Sequence, residues 1–191
     1  IFSTASCVTA TDINGDGYDD IIIGAYSKNG FQGAAYVIYG GPKSSFLNFD
    51  LSPGSVTLDP ATTGFMITGN VANDQFGFSA STAGDNDSDG YDDIIVGAHN
   101  KNNLQGAAYV IYGRPKTLLA NIVVSVTTTA TLSPTETGFV VMGESSGDRL
   151  GSAVSTAGKM DQDQCDDILI GAPSKDSSRG AIYVIYGKVK T

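Results

Sequence analysis

The chain has 191 residues, 41% of them hydrophobic and 16% charged, with a formal net charge of −9. That length and apolar content fit one ordinary globular domain or part of a larger one. No basic stripe is present, which excludes a nucleic-acid surface, and no apolar run approaches the ~20 residues of a membrane-spanning helix, so direct membrane insertion is not expected. The charge is local: three short loops hold thirteen of the twenty Asp and Glu, and outside them ten Lys and Arg outnumber the remaining acids. Acidity gathered into sites points to bound cations. The two cysteines, Cys7 in a predicted strand and Cys165 in the third loop, do not sit at equivalent positions and are read as unpaired thiols. A chain that opens at Ile1 reads as a processed product or an excerpt, so the missing signal peptide says nothing about secretion.

In chain order, the first acidic loop is Asp12-Ile-Asn14-Gly15-Asp16-Gly17-Tyr18-Asp19-Asp20. It runs into Ile21-Ile-Ile-Gly24-Ala25, a β-branched stretch that predicts a short buried strand. Ala34-Ala-Tyr-Val-Ile-Tyr-Gly40 is the next strand, and Thr63-Gly-Phe65 opens another. The second unit is more complete. Residues 75–84 form a small-residue strand suited to a tight place such as a propeller axis. The loop Asp85-Asn-Asp87-Ser-Asp89-Gly90-Tyr91-Asp92-Asp93 follows, then a buried strand over 93–97 and a polar turn over 99–103. Residues 107–112 are the third strand, 138–143 the fourth, and a polar insertion with short apolar pieces lies between Pro115 and Leu132. The third unit repeats the small strand over 149–158, the loop as Lys159-Met-Asp161-Gln-Asp163-Gln164-Cys165-Asp166-Asp167, and two strands over 168–172 and 181–187.

The offsets between copies are 73 and 74 residues. That period suits a four-stranded blade with one insertion, and no segment shows sustained helical periodicity with caps. The fold class expected is all-β: β-propeller blades of four antiparallel strands, about two and three-quarters of them. The units run 1–68, 69–142 and 143–191. The first begins degenerate, with Ser3-Thr4 where Phe76-Gly77 and Leu150-Gly151 stand, and the last lacks its fourth strand. Fewer than three blades cannot close a propeller of ~4–8 blades, so further chain or another molecule is expected to complete it.

Alternating oxygen-bearing side chains with Gly at the sixth position make a loop that can wrap a hard cation such as Ca²⁺, which takes six to eight oxygens. The EF-hand is excluded. It needs Glu at the twelfth position between helices, and the twelfth residues here are Ile23 and Val96, inside strands. Turn chemistry alone explains one loop, but not carboxylates crowded together twice, which repel unless neutralised.

Loop, strand and Gly-Ala turn recurring at fixed distances, with Phe76-Gly77 and Gly171-Ala172-Pro173, resemble the FG-GAP repeat of integrin α-subunit heads and of many secreted proteins. The resemblance implies a β-propeller with calcium held between its first and second strands. In loop one the expected ligands are the side chains of Asp12, Asn14, Asp16 and Asp20 and the carbonyl of Tyr18. In loop two they are Asp85, Asp87, Asp89, Asp93 and the carbonyl of Tyr91. Asp19 and Asp92 are expected to point away from the ion, by alternation along an extended segment. Tyr26 and His99 stand where the family motif has Pro, and the third site departs further. Lys159 replaces its first Asp and Gln164 its Gly, leaving Asp161, Asp163, Cys165 and Asp167 in a degenerate site. Its calcium is expected to be replaced by a Lys159 ammonium bridging the remaining carboxylates.

Three further signals read as turn chemistry. Gly143-Glu-Ser145-Ser-Gly147 matches the nucleophile-elbow pattern but precedes a strand where that motif precedes a helix. His99, the one histidine, makes neither a zinc site nor a triad alone. Asn86-Asp-Ser88 is a glycosylation sequon inside loop two, expected to stay unmodified. With no nucleophile–base pair to assemble, no enzyme is expected. The reading is an extracellular or cell-surface, calcium-stabilised propeller segment acting as an adhesion or protein-binding module. The alternatives are a building block of a ring or filament, completed by strands from neighbouring copies, and a non-catalytic propeller or glycan-binding lectin domain of a larger secreted protein.

Overall fold

The computed structural model describes residues 8–43, 58–124 and 132–190. Three sheets follow one another, each built around antiparallel strands that succeed one another in the chain. The first contains β1 (Val8–Thr11), β2 (Asp20–Ala25), β3 (Ala34–Ile38) and β4 (Gly64–Gly69). The second contains β5 (Ser79–Gly84), β6 (Asp93–Ala98), β7 (Ala107–Ile111) and, after an insertion holding β8 (Ile122–Val124), β9 (Gly138–Met142). The third contains β10 (Ala153–Gly158), β11 (Asp167–Ala172) and β12 (Ala181–Ile185). The register is the same in each copy: Ile22 faces Val37, Ile95 faces Val110 and Leu169 faces Val184. This is an all-β, propeller-like arrangement of repeated blades.

Alternation along each third strand explains how the blades stack. Ala35, Val37 and Tyr39 of the first blade pack in one cluster with Phe76, Ala80, Ile94 and Val96 of the second. One repeat later, Ala108, Val110 and Tyr112 pack with Leu150, Ile168 and Ile170 of the third. The middle blade is covered on both faces, so all six residues of β6 are buried. At matching positions of the third blade, Ile182, Val184 and Tyr186 are 75%, 36% and 58% exposed.

Two sequence expectations are corrected. The small-residue strand does not begin at Gln75 or Arg149. Residues 75–77 and 149–151 turn instead, with φ of +57° and +83° at Gln75 and Gly77 and +58° and +83° at Arg149 and Gly151. Phe76 and Leu150 thereby bridge Gly33 and Gly106 of the preceding blade. A Cβ on either glycine would run into that backbone, which fixes the Gly before each third strand. The insertion is also more than a polar loop: β8 joins the first sheet as a fifth strand, parallel to β4, with Ile67 beside Ile122. Cys7 lies outside the described residues, and Cys165 is a buried free thiol.

The second and third strands are joined by short turns, Lys28–Phe31, Lys101–Leu104 and Lys175–Ser178. Each holds three consecutive left-handed residues: Asn29, Gly30 and Phe31, then Asn102, Asn103 and Leu104, then Asp176, Ser177 and Ser178. Gly and Asn tolerate this conformation, while Phe31 and Leu104 are strained in it.

Candidate metal centres

Loop one hangs between β1 and β2. The Asp12 carboxylate accepts the amides of Gly15, Asp16 and Gly17 at 2.8, 3.1 and 2.8 Å, so the loop coils around its own first side chain. Asp16 Oδ1 accepts the Tyr18 amide at 3.0 Å. Gly17 sits at φ +83° and its counterpart Gly90 at +89°, a conformation that costs glycine little. Loop two repeats the scheme. Asp85 accepts the amides of Asp89 and Gly90, both at 3.0 Å, and Asp89 Oδ1 accepts that of Tyr91 at 3.1 Å. Asp85, Asp87 and Asp89 each present a carboxylate oxygen within 4.8 Å of the others. One ion with Ca–O bonds of about 2.3–2.6 Å spans such a set.

The last Asp of each loop does something the sequence did not show. Asp20 is fully buried and accepts the Ile13 amide at 3.1 Å, the Asn14 side-chain amide at 2.8 Å and the Gly40 amide at 2.8 Å. Asp93 accepts Asn86 at 3.0 Å and Gly113 at 2.8 Å; Asp167 accepts Met160 at 2.7 Å and Gly187 at 3.0 Å. Each therefore ties the start of its loop to the end of the third strand. Burial, aided by the charge of Asp16, pushes the Asp20 carboxyl up to about 6 against the Gly40 hydrogen bond. Burial, aided by Asp87 and Asp89, pushes Asp93 up to about 8 against the Gly113 bond. Ionisation of these carboxyls is penalised as the protein stands, and a nearby cation would remove the penalty.

Loop three has turned its polarity around. Where Asp12 and Asp85 collect amides, Lys159 Nζ donates to the Gln164 carbonyl at 2.7 Å. The expected bridge from Lys159 to Asp161, Asp163 and Asp167 is not formed: among the described residues no ion pair joins them, because the ammonium is satisfied by a backbone oxygen five residues away. Gln164 lacks the positive φ of Gly17 and Gly90, so the backbone has diverged there too. Asp163 keeps one local role, accepting the Cys165 amide at 2.8 Å.

Several contacts not legible in the sequence join residues far apart in the chain. Asp92 Oδ2 accepts the Thr11 hydroxyl at 2.8 Å and the Asp12 amide at 3.3 Å of the preceding loop, and Asp166 Oδ2 accepts the Asp85 amide at 3.0 Å. These carboxylates do turn from their own loops, and each clamps the loop before. Lys101, 1% exposed, pairs with Asp74 at 2.8 Å. Lys116 reaches Asp16 at 2.6 Å, and Lys190 reaches Asp87 at 2.5 Å and Asp89 at 3.3 Å. The signal available was that Lys43, Lys116 and Lys190 recur at the same 73- and 74-residue offsets as the loops. Asn86 is 3% exposed and its side chain donates to the Asp166 carbonyl at 2.7 Å, closing the sequon from solvent. Ser145 lies in a turn whose amide bonds Asp148 at 2.9 Å, and His99 is buried against Phe78, ring centroids 3.8 Å apart.

The donors fit a calcium ion. Every candidate side chain of loops one and two offers oxygen, and the buried Asn14 Oδ1 has no hydrogen-bond donor among the described residues. The buried Asp87 Oδ2 meets the Lys190 ammonium at 2.5 Å. Residues 8–38, which contain the whole of loop one, match the FG-GAP repeat model. The chain carries an integrin-α-like FG-GAP repeat. It is 35% identical over 116 residues to integrin alpha pat-2 of Caenorhabditis elegans, a match covering 56% of this chain and 9% of that protein. It is 29% identical over 119 residues to integrin alpha-4 of Xenopus laevis, covering 60% and 10%. It is 32% identical over 111 residues to integrin alpha-5 of the same species, covering 56% and 10%. Each of these matches spans about a tenth of the relative's length. No helix among the described residues is long and apolar enough to cross a membrane.

Proposed function

We propose that loops one and two each bind one calcium ion, which pins the connection between the first two strands of an adhesion-type, extracellular propeller segment built from the units 1–68, 69–142 and 143–191. The ion in loop one would be held by Asp12, Asn14, Asp16, Asp20 and the Tyr18 carbonyl, and that in loop two by Asp85, Asp87, Asp89, Asp93 and the Tyr91 carbonyl. The observation that carries this reading is the convergence of Asp85, Asp87 and Asp89 on one point, beside a buried carboxylate whose ionisation is penalised. The integrin-α likeness supports a role in binding a protein partner at the cell surface rather than catalysis. Extracellular modules of moderate affinity, ~10⁻⁴–10⁻³ M, fill at the calcium concentration outside cells. The test is calcium titration calorimetry on the chelator-stripped chain. Two ions per chain are expected, and one each for Asp16→Ala and Asp89→Ala. No uptake by the wild-type chain would sink the reading.

A second reading concerns assembly. Ile182, Val184 and Tyr186 are exposed where their counterparts are covered by the next blade, which supports a further blade or a neighbouring copy docking on that face. Ultracentrifugation of Ile182→Lys beside the wild type tests self-association: an unchanged monomeric mass for both counts against a second copy.

A further inference from the structure

Lys116 and Lys190 occupy the same place in successive repeats, four residues after Tyr112 and Tyr186. Each leaves its own blade and lies over a tyrosine of the blade before. Lys116 Nζ is 4.9 Å from the Tyr39 ring centre and Lys190 Nζ 4.2 Å from that of Tyr112. Each ends on that blade's acidic loop: Lys116 on Asp16, Lys190 on Asp87 and Asp89. Backbone bonds fix the approach. The Arg114 amide donates to Ile13 at 2.9 Å, and the amides of Lys188 and Lys190 donate to Asn86 and Asp87 at 2.9 and 3.0 Å. These ammonium groups are held in register with the loops, unlike lysines that sweep open solvent.

The oxygens they take are those an ion in the same loop would need. Asp87 and Asp89 belong to the convergent trio, and the Lys190 ammonium pairs with both. A divalent ion and an ammonium compete for those oxygens, because two cations at ~4 Å repel where water is partly excluded. We propose that Lys190, and in the same way Lys116, is an exchangeable internal counter-ion. It neutralises the acidic loop of the preceding blade when calcium is scarce and must be displaced when calcium binds. The lysine then lowers calcium affinity, keeps the ion-free loop from repelling itself, and couples the cation state of one blade to the strand exit of the next. Lys190 faces two carboxylates and Lys116 one, so loop two carries the stronger brake. This inference rests on the calcium reading of loops one and two.

The test uses the full 191-residue chain with Lys190→Met, which keeps the apolar stem over Tyr112 and removes the charge. Lys190→Gln guards against a folding defect specific to methionine. Lys188→Met is the control for net charge, since its exposed side chain makes no ion pair among the described residues. Calcium titration calorimetry and thermal melts in chelator and in calcium are the readouts. Lys190→Met and Lys190→Gln are expected to bind calcium in loop two at least about fivefold more tightly than wild type, the minimum for removing a unit charge at ~4 Å. Both should melt lower than wild type in chelator and no lower in saturating calcium. An affinity unchanged from wild type, or raised equally by Lys188→Met, overturns the exchange and leaves the calcium sites standing. A melting shift of the same sign and size in both media does likewise. Absence of calcium uptake by wild type and variants alike overturns both the exchange and the calcium reading.

Discussion

Removing the Asp74 carboxylate should unfold the chain far more readily than removing any surface charge. Its partner Lys101, on the turn between β6 and β7, has its side chain 2% exposed, against 11% for Asp74, and the two meet at 2.8 Å. Burial alone would push the Lys101 ammonium down, yet the Asp74 hydrogen bond and the Tyr109 hydroxyl outweigh it and the net shift is upward. Asp74→Ala strands a buried ammonium, a change that costs about 3–5 kcal/mol. For a chain of this size that lowers the melting temperature by roughly 6–20 °C. Taking both charges away, with Asp74→Leu and Lys101→Met together, leaves nothing uncompensated and should return to within about 2 kcal/mol of wild type. The third blade supplies the contrast. Lys175 pairs with Glu144 at 2.7 Å, but the Glu144 side chain is 60% exposed, so Glu144→Ala should cost far less than Asp74→Ala. Thermal and urea melts of these variants measure all three. A loss below about 1 kcal/mol for Asp74→Ala, or a double variant no better than the single one, would falsify the claim that burial sets the size of the effect.

Two more predictions concern the loops. In chelator, the folded-state value of Asp93, about 8, lies above its ordinary 3.8, so the native state holds that proton more tightly than the unfolded chain does. Stability in chelator should therefore rise as pH falls from about 8.5 to 7.5, above the range in which His99, held down to about 4 by burial, would oppose it. In saturating calcium the ion takes the proton's place, and equal slopes in the two media would refute the link. Restoring loop three with Lys159→Asp and Gln164→Gly should add one calcium per chain by calorimetry. Failure to gain it would mean that the loop backbone has diverged beyond those two residues.

Much of the fold was legible because its signals are local. The spacing of Asp, Asn and Gly, the β-branched run and the Gly-Ala turn recur as one block, and a period-2 strand declares its faces in its own residues. The loops are therefore legible as oxygen-rich sites from the sequence alone. What lay beyond the sequence were partners far apart in the chain. Lys116 meets a residue 100 positions earlier and Lys190 one 101 earlier, Asp92 clamps Thr11 across 81 positions, and β8 pairs with β4 in parallel. Those pairings follow from how successive blades stack, which places the strand exit of one repeat over the acidic loop of the last. Asp20 and Asp93 read as ligands from spacing alone, yet burial makes them brackets between loop and strand as well. Lys159 read as a counter-ion by its place in the loop, but a backbone carbonyl within reach satisfied its ammonium first. Sequence spacing placed these side chains in their loops, and competition among nearby oxygens in the folded chain decided which ones they met.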